Sequence, residues 1–278
     1  AARSARIEAR LASTPPGEIL WAELLDGFGF SANREPMRTL AQTIPLASLE
    51  DLIQAIPPAG RLDAIRGVLL GTAGFLPLSP AEAHFGQLPP DHVSALEAAW
   101  HERGEPWRHE ILPASAWQRA RVRPANHPLP RLLSMAGILL SASHHSGFLV
   151  TMLATLVDPD GPVIALRNLS SAGKTPGVGV DRAIDVMSSG LIPFALALAA
   201  QTGDTALADT ASQEWERLPE PAANAITRRA ARQVAGSAPL GKIGARGAQG
   251  LIHLDTSLCQ PRRCFECSIA AVALAVNE

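Results

Sequence analysis

Three cysteines near the end of the chain have the spacing of metal ligands. All three cysteines of the 278-residue sequence, Cys259, Cys264 and Cys267, form a C-x4-C-x2-C pattern, and His253 lies six residues upstream. Thiolates and an imidazole so close in sequence can converge on one metal ion or cluster. The pattern predicts zinc held by the three thiolates and His253, or a 4Fe–4S cluster with an outside fourth ligand. The alternatives are three unligated thiols and an ordinary buried histidine.

Two arginines, Arg262 and Arg263, lie inside this cysteine loop. A positive charge favours the thiolate over the thiol, so we expect both arginines to lower the thiol pKa values. They also offset part of the negative charge that a thiolate-bound metal or cluster carries.

A second group of candidate residues lies in the middle of the chain. Residues 115–157 include four arginines and no carboxylate. Arg119, Arg121 and Arg123 alternate before Pro124, which predicts an extended segment with three guanidinium groups on one side. Such an arrangement suits phosphates or carboxylates.

Asn126 and Arg131 extend this group. Asn126 lies between two prolines and predicts a fixed turn that presents or anchors the arginines. Arg131 begins the following helix and is long enough to turn back toward the same site. In the alternative interpretation, these arginines are structural clamps on helix C-terminal carbonyls and buried carboxylates.

A second basic segment follows near the C-terminus. Residues 221–264 hold seven Arg or Lys residues and one acid, Asp255, although the net charge of the whole chain is only −2. Arg228 and Arg232 are one turn apart on a predicted helix. If the two basic segments fold together, they form one cationic face for nucleic-acid phosphates. Otherwise they pair with the acidic segments of the chain.

The common catalytic motifs are absent from the sequence. It contains no G-x-S-x-G elbow, no H-E-x-x-H pair and no closely spaced group of acids. The sequence therefore assigns no catalytic residue, and an enzyme that acts alone is the least favoured class.

The elements that position these residues are predicted to be helices. Alanine and leucine dominate, and apolar residues return every three or four positions, so we expect a mainly α fold, a multi-helix orthogonal bundle with a cysteine-rich loop at its C-terminal end. The clearest helices are predicted over residues 19–28, 129–140 and 148–157. Residues 163–169 are the one short apolar run that resembles a strand.

The chain is predicted to be a single α-helical unit over residues 1–278, with a subdomain edge at 76–90, where four prolines lie. The apolar stretch 132–157 is broken by a polar turn and predicts no membrane span. An odd cysteine number and the lack of a leader predict a cytoplasmic location. The first residue, Ala1, indicates a piece of a longer protein, and the oligomeric state is left open.

Four stretches together resemble a bacterial family of domains of unknown function, number 2851. They are residues 27–33 (GFGFSAN), 69–76 (LLGTAGFL), 121–128 (RVRPANHP) with Arg131, and 249–254 (QGLIHL) before the cysteines. The resemblance runs nearly end to end. The glycines and small residues of 69–76 predict tight helix contacts.

The resemblance implies that this chain is the helical C-terminal portion of a longer protein, whose missing N-terminal domain is similar to a nuclease core. The chain is then an accessory module whose basic segments contact nucleic acid beside that core. A structural or protein-interaction module stapled by zinc is the alternative, because the family has no assigned reaction.

Overall fold

The computed structural model describes residues 2–122, 126–174, 176–238 and 240–275, and the fold is mainly α, as predicted. Within these residues the chain forms sixteen α-helices joined by short 3-10 and π-helical segments, and no strand occurs. The chain divides into two compact units, residues 1–211 and 212–278. The division falls inside the helix Thr205–Arg217.

Twelve of these helices lie in the first unit and precede that boundary helix. They are α1 (Ala2–Leu11), α2 (Pro16–Phe28), α3 (Arg34–Thr43), α4 (Leu46–Gln54), α5 (Arg61–Thr72), α6 (Pro80–Phe85), α7 (Pro90–Arg103), α8 (Pro128–Ser143), α9 (Phe148–Ala154), α10 (Pro162–Ser170), α11 (Val180–Val186) and α12 (Ile192–Thr202). The remaining helices are α13 (Thr205–Arg217), α14 (Ala225–Ala235), α15 (Gly244–Leu254) and α16 (Ser268–Ala275).

Helix α2 is buried among its neighbours in the first unit, where it packs against α1, α3, α4, α9 and α11. A helix that is apolar on most of its surface is stable only when it is covered on several sides. Trp21 of α2 is fully buried, and its ring N–H donates to the carbonyl of Ile44 at 2.9 Å. The Trp21 ring also meets Phe148 of α9 edge to face, at 5.9 Å between centroids. The helix predicted over residues 19–28 is therefore confirmed.

Two glycines allow α5 and α7 to pack at short range. A Cβ atom added at Gly71 would lie 2.2 Å from the Trp100 ring, and one added at Gly67 would lie 2.7 Å from the Leu96 carbonyl oxygen. Side chains larger than hydrogen are therefore excluded from this interface. The tight helix contact predicted from residues 69–76 is confirmed.

The polar turn predicted between two buried helices is also present. Helix α8 and the stretch 148–157 are bent by 98° at this turn. Gly147 enters α9 with φ of +92°, a conformation that favours glycine. The strand considered for residues 163–169 is wrong, because Pro162 takes the first helical position and the run forms α10.

One continuous helix runs from Val180 to Thr202. It consists of α11, the five-residue π-helical segment Met187–Leu191 and α12. Among the described residues it is the one helix long and apolar enough to cross a membrane, but 78% of its most apolar window is buried inside the fold. That is the environment of a core helix. Helix α8 with residues 148–157 meets the same criterion only as a bent pair.

The segment 76–90, where the sequence predicts a subdomain edge, lies within the first unit. Its prolines lie at a cis peptide bond and at the starts of α6 and α7. The peptide bond between Leu76 and Pro77 is cis. Ser79 and Glu82 form a capping box, in which each side chain bonds the main chain of the other residue at the start of α6.

Candidate functional site

Arg131 lies in the first turn of α8, and only 5% of its surface is exposed. The helix is capped by His127, whose Nδ1 accepts a hydrogen bond from the Leu129 N–H at 3.2 Å. Burial lowers the pKa of Arg131 to about 9, the nearby Arg182 acts in the same direction, and Asp185 opposes them. The charge of Arg131 is therefore held in a poorly solvated position.

Asn126 connects Arg131 to Arg182, which lies 56 positions further along the chain. Its Oδ1 accepts a hydrogen bond from Nη2 of Arg182 at 2.8 Å and from Nη2 of Arg131 at 3.4 Å. The amide oxygen is a neutral acceptor, so it joins the two guanidinium groups without neutralising them. Asn126 thus anchors Arg131 of the segment 119–131, together with Arg182, whereas part of the predicted turn, residues 123–125, lies outside the described residues.

Arg182 is the second buried cation of the site, with 11% of its side chain exposed. Its Nη1 pairs with Asp185 Oδ2 at 2.9 Å, and its guanidinium lies 4.4 Å from the ring centroid of Phe30. Its Nε is buried and has no hydrogen-bond partner among the described residues. Burial lowers the pKa of Arg182 and raises the pKa of Asp185.

Other charged groups act on Arg182, and one of them, Arg34, itself pairs with Asp26 at 3.8 Å. Arg34, at the start of α3, is near enough to lower further the pKa of Arg182, which burial already lowers. The exposed Asp181 acts in the opposite direction, as does Asp185. We call Arg34, Asn126, Arg131, Arg182 and Asp185 the arginine cluster.

A cavity of about 260 Å³ lies beside Arg131. Its lining comes from the end of α6, the first two turns of α8 and the segment that leads into α11. The lining residues are Phe85, Gln87, Pro130, Arg131, Ser134, Pro176, Gly177 and Gly179. Arg131 is the only charged residue among them, and none of them is a histidine, a cysteine or an acid. The described lining can therefore bind an anion but supplies no general acid, general base or strong nucleophile.

Arg119 is not among the residues that line this cavity. Its contacts are those of a structural clamp. Its guanidinium donates to the carbonyl of Gly74 at 3.1 Å, pairs with Glu82 at 3.1 Å and lies 4.0 Å from the Phe75 ring centroid. These contacts match the alternative interpretation of the arginine segment. Because of them, Arg119 is a poor candidate for phosphate contact.

The extended segment predicted around Arg121 is not formed. Arg121 has φ of +57°, is exposed, and makes no hydrogen bond or ion pair with a described residue. Arg119 turns inward to Glu82, so the two side chains do not form one row of phosphate contacts. Arg123 lies outside the described residues.

In the second unit, Arg228 and Arg232 are both exposed on α14. Arg228 donates to the main-chain carbonyl of Ala223 at 2.8 Å. Arg229, which the sequence analysis did not single out, makes a two-point pair with the buried Asp255, with Nε 2.8 Å from Oδ1. The one acid of the second basic segment thus neutralises Arg229. The side chain of Arg232 makes no hydrogen bond or ion pair within the part of the chain that the structure describes.

The cysteines and His253 do not form a recognisable metal site. Across the described residues, no group of three or more His, Cys, Asp or Glu side chains is arranged to hold a metal ion. Cys259 is half-buried, Cys264 exposed and Cys267 buried, and all three are free thiols. His253 is exposed, not buried, with its Nδ1 3.2 Å from the Ser257 hydroxyl. The arrangement gives no support to zinc or a 4Fe–4S cluster.

The predicted effect of the loop arginines on the thiols is wrong for Cys259. Burial raises the pKa of the Cys259 thiol, and the neighbouring cysteines and Asp255 act in the same direction. Arg263 forms a two-point pair with Glu266. Its charge is therefore balanced by a carboxylate, and Arg263 is not among the groups that shift the pKa of Cys259.

Sequence reasoning missed Arg34, Arg182 and Asp185. A signal for the last two is present, because Arg182 and Asp185 are one turn apart at the start of an otherwise apolar helix. Charged residues in that position need buried partners or solvent. Their partner Asn126, however, is too distant in sequence to be found by pattern.

A family model described as "Protein of unknown function (DUF2851)" matches residues 2–157, more than half of the chain. The match includes residues 27–33, 69–76 and 121–128, and it excludes the cysteine loop, so the resemblance does not run end to end. No curated protein and no solved structure matches the chain.

Proposed function

The chain belongs to this family of proteins of unknown function, and from that premise we propose that its first unit is a binding module for a phosphate group of nucleic acid. Arg131 contacts the phosphate directly in this proposal. Asn126 holds Arg131 in place through its Oδ1, and Arg182 adds positive potential. No catalytic role is assigned to the chain.

One observation carries the proposal. Arg131 is 5% exposed and lines a cavity, yet its hydrogen-bond partner among the described residues is the neutral amide oxygen of Asn126. A buried guanidinium without a bound carboxylate is costly for the folded protein. An anion in the cavity would supply the missing negative charge through short, charge-assisted hydrogen bonds.

The size of the cavity restricts the ligand. A volume of about 260 Å³ is at the small end for a ligand pocket. It suits a phosphate with part of its sugar, as at the end of a single strand. It does not suit a duplex, whose phosphates are read on an open surface. Arg121, exposed and without a partner among the described residues, is a candidate contact for a neighbouring phosphate.

The test compares two single-stranded oligonucleotides that differ only in a 5′ phosphate, each labelled at the other end for fluorescence anisotropy. We expect tighter binding of the phosphorylated strand and a loss of affinity between about 50 and 200 mM salt. Arg131→Met should weaken that binding by roughly 10-fold or more, the value of a charge-assisted hydrogen bond.

The matched control is Arg6→Met, which removes the same charge from an exposed side chain of α1 that makes no hydrogen bond or ion pair with a described residue. It should leave affinity within about 2-fold, since one distant surface charge is largely screened. If folded Arg131→Met protein, verified by circular dichroism, binds the phosphorylated strand as tightly as the wild type, the proposal is wrong.

A structural or protein-interaction module is the second candidate, and the contacts of Arg119 with Gly74, Glu82 and Phe75 favour it. In that case Arg119→Ala should lower stability by about 1–3 kcal/mol, because a buried carbonyl and a ring lose their cationic partner. Arg121→Ala should have almost no effect. Unchanged stability of Arg119→Ala, measured by urea unfolding, would reject the clamp.

A further inference from the structure

Cys264 and Cys267 lie on one tight turn of the second unit. The segment Cys264–Glu266 is a 3-10 helix, and the N–H of Cys267 donates to the carbonyl of Cys264 at 3.2 Å. A turn closed by such a bond brings its first and fourth Cα atoms within about 7 Å. Disulfides need Cα atoms about 4.4–6.8 Å apart. The turn therefore brings the two cysteines close to the range of separation in which a bridge can form.

The two thiols differ strongly in access. Cys264 is exposed, whereas Cys267 is 8% exposed and lies immediately before α16. A reagent in solution reaches Cys264 first. Cys267 is available mainly to an atom bound at its neighbour on the same turn, which is the relation of an attacking and a resolving cysteine.

The turn is held by contacts that need no metal. The N–H of Arg263 donates to the Leu258 carbonyl at 2.8 Å, and the guanidinium of Arg263 pairs with Glu266 inside the turn. Upstream, the N–H of Arg262 donates to the carbonyl of Cys259 at 3.1 Å. These bonds fix the loop around the cysteine pair while leaving its sulfurs as free thiols.

We propose that Cys264 and Cys267 form a dithiol that exchanges with low-molecular-weight disulfides of the glutathione class. In the first step the Cys264 thiol loses its proton to water, and Sγ attacks one sulfur of glutathione disulfide. The disulfide bond breaks, one glutathione leaves as a thiolate and takes up a proton, and the other stays on Cys264 as a mixed disulfide.

In the second step the Cys267 thiol loses its proton and attacks Sγ of Cys264. The second glutathione leaves as a thiolate and is protonated by water. Overall the dithiol is oxidised by two electrons to a disulfide, and glutathione disulfide is reduced to two glutathione molecules. The reaction runs backwards when reduced glutathione is in excess.

The experiment uses the full chain and glutathione disulfide, with excess alkylating agent added at set times and the products resolved by intact mass. We expect the wild type to lose two alkylatable thiols, keep the third and retain no glutathione. Cys267→Ser should accumulate one glutathione adduct, mapped to Cys264 by digestion. Cys264→Ser should react at least ~10-fold more slowly, because its remaining pair member is buried.

Cys259→Ser is the matched control, because it removes the third thiol and leaves the turn intact; it should form the bridge at the wild-type rate. Two results would overturn the proposal. One is a wild type in which a glutathione adduct persists without conversion to a disulfide. The other is a Cys264→Ser protein, folded by circular dichroism, that still forms a disulfide as fast as the wild type, since Cys259 would then be the true partner of Cys267.

Discussion

The side-chain amide of Asn33 pairs with the main chain of Gln118 in both directions. Asn33 Oδ1 accepts from the Gln118 N–H at 2.8 Å, and Asn33 Nδ2 donates to the Gln118 carbonyl at 3.1 Å. Asn33 is 1% exposed. The pair connects the turn before α3 to the segment that leads toward α8. It therefore joins the two parts of the chain in which Arg34 and Asn126 lie.

Asn33→Ala is expected to destabilise the protein by about 2 kcal/mol, because it leaves a main-chain N–H and a carbonyl without their partner. Urea unfolding measures this change in the free energy of unfolding, provided that its dependence on urea concentration (the m value) is the same in both proteins. Asn168→Ala, at an exposed position of α10, is the control and should stay within about 0.5 kcal/mol of the wild type. An equal effect of both substitutions would mean that the Gln118 contact contributes nothing.

Gly71→Ala is expected to lower stability by about 1–3 kcal/mol through overpacking. The added methyl would lie 2.2 Å from the Trp100 ring, so either this ring or one of the helices α5 and α7 must shift. Gly250→Ala, inside α15 with nothing within 4 Å of the new Cβ, is the comparison. It should be neutral or stabilising by up to about 1 kcal/mol, as helix propensity predicts. Differential scanning calorimetry of both variants measures these two changes in stability.

His127 gives the first unit a pH dependence. Burial lowers the pKa of His127, Arg119 acts in the same direction, and Glu82 opposes them. The folded protein therefore binds a proton at this site less readily than the unfolded chain. Stability is fully present above the unfolded pKa of about 6.5 and falls as pH drops from there through the folded value, with a slope of at most about 1.4 kcal/mol per pH unit.

His127→Asn removes the titrating ring and keeps a side chain able to cap α8. The stability loss between pH 7 and 5 should therefore be smaller in this variant, as measured by urea midpoints across that range. His145→Asn, at an exposed position, should keep the wild-type profile. A wild-type profile in His127→Asn would show that another group causes the acid sensitivity.

Arg131→Met is expected to separate stability from ligand binding. Without ligand the variant should be as stable as the wild type or more so, since a buried charge with no bound carboxylate is replaced by an apolar side chain. Inorganic phosphate should stabilise the wild type, by about 2.7 kcal/mol at 100 times its Kd, and not the variant. Melting temperatures against phosphate concentration give both results. A phosphate response that survives in Arg131→Met would place the anion elsewhere.

Local features of the fold were predictable from the sequence, and long-range pairs were not. The apolar run of α2, the glycines of α5 and the turn at Gly147 each act through neighbours along the chain or through a small side chain. The lack of acids between residues 115 and 157 left open whether its arginines contact phosphates or pair with distant acids, and Arg119 pairs with Glu82.

The sequence of residues 115–157 does not show which of its residues bond to residues far away along the chain. Glu82 lies 37 positions from Arg119, and Arg182 lies 56 positions from Asn126. The metal site predicted from the cysteine spacing has no support in the structure for a related reason. Short spacing puts sulfurs on neighbouring turns, but convergence on one ion also depends on side-chain direction. In the described loop, the cysteine side chains and His253 do not converge on one position as metal ligands would.

The π-helical segment Met187–Leu191 separates the part of the long helix that carries Arg182 from the part buried in the core. Each residue of an α-helix advances the azimuth by about 100°. A π turn accommodates an additional residue, so it resets the angular phase between the two parts. Regular α-helical winding through this segment would rotate Arg182 about the helix axis, away from Asn126, while leaving α12 seated. The orientation of the end that carries Arg182 and the packing of the apolar end are thus set separately on one continuous helix.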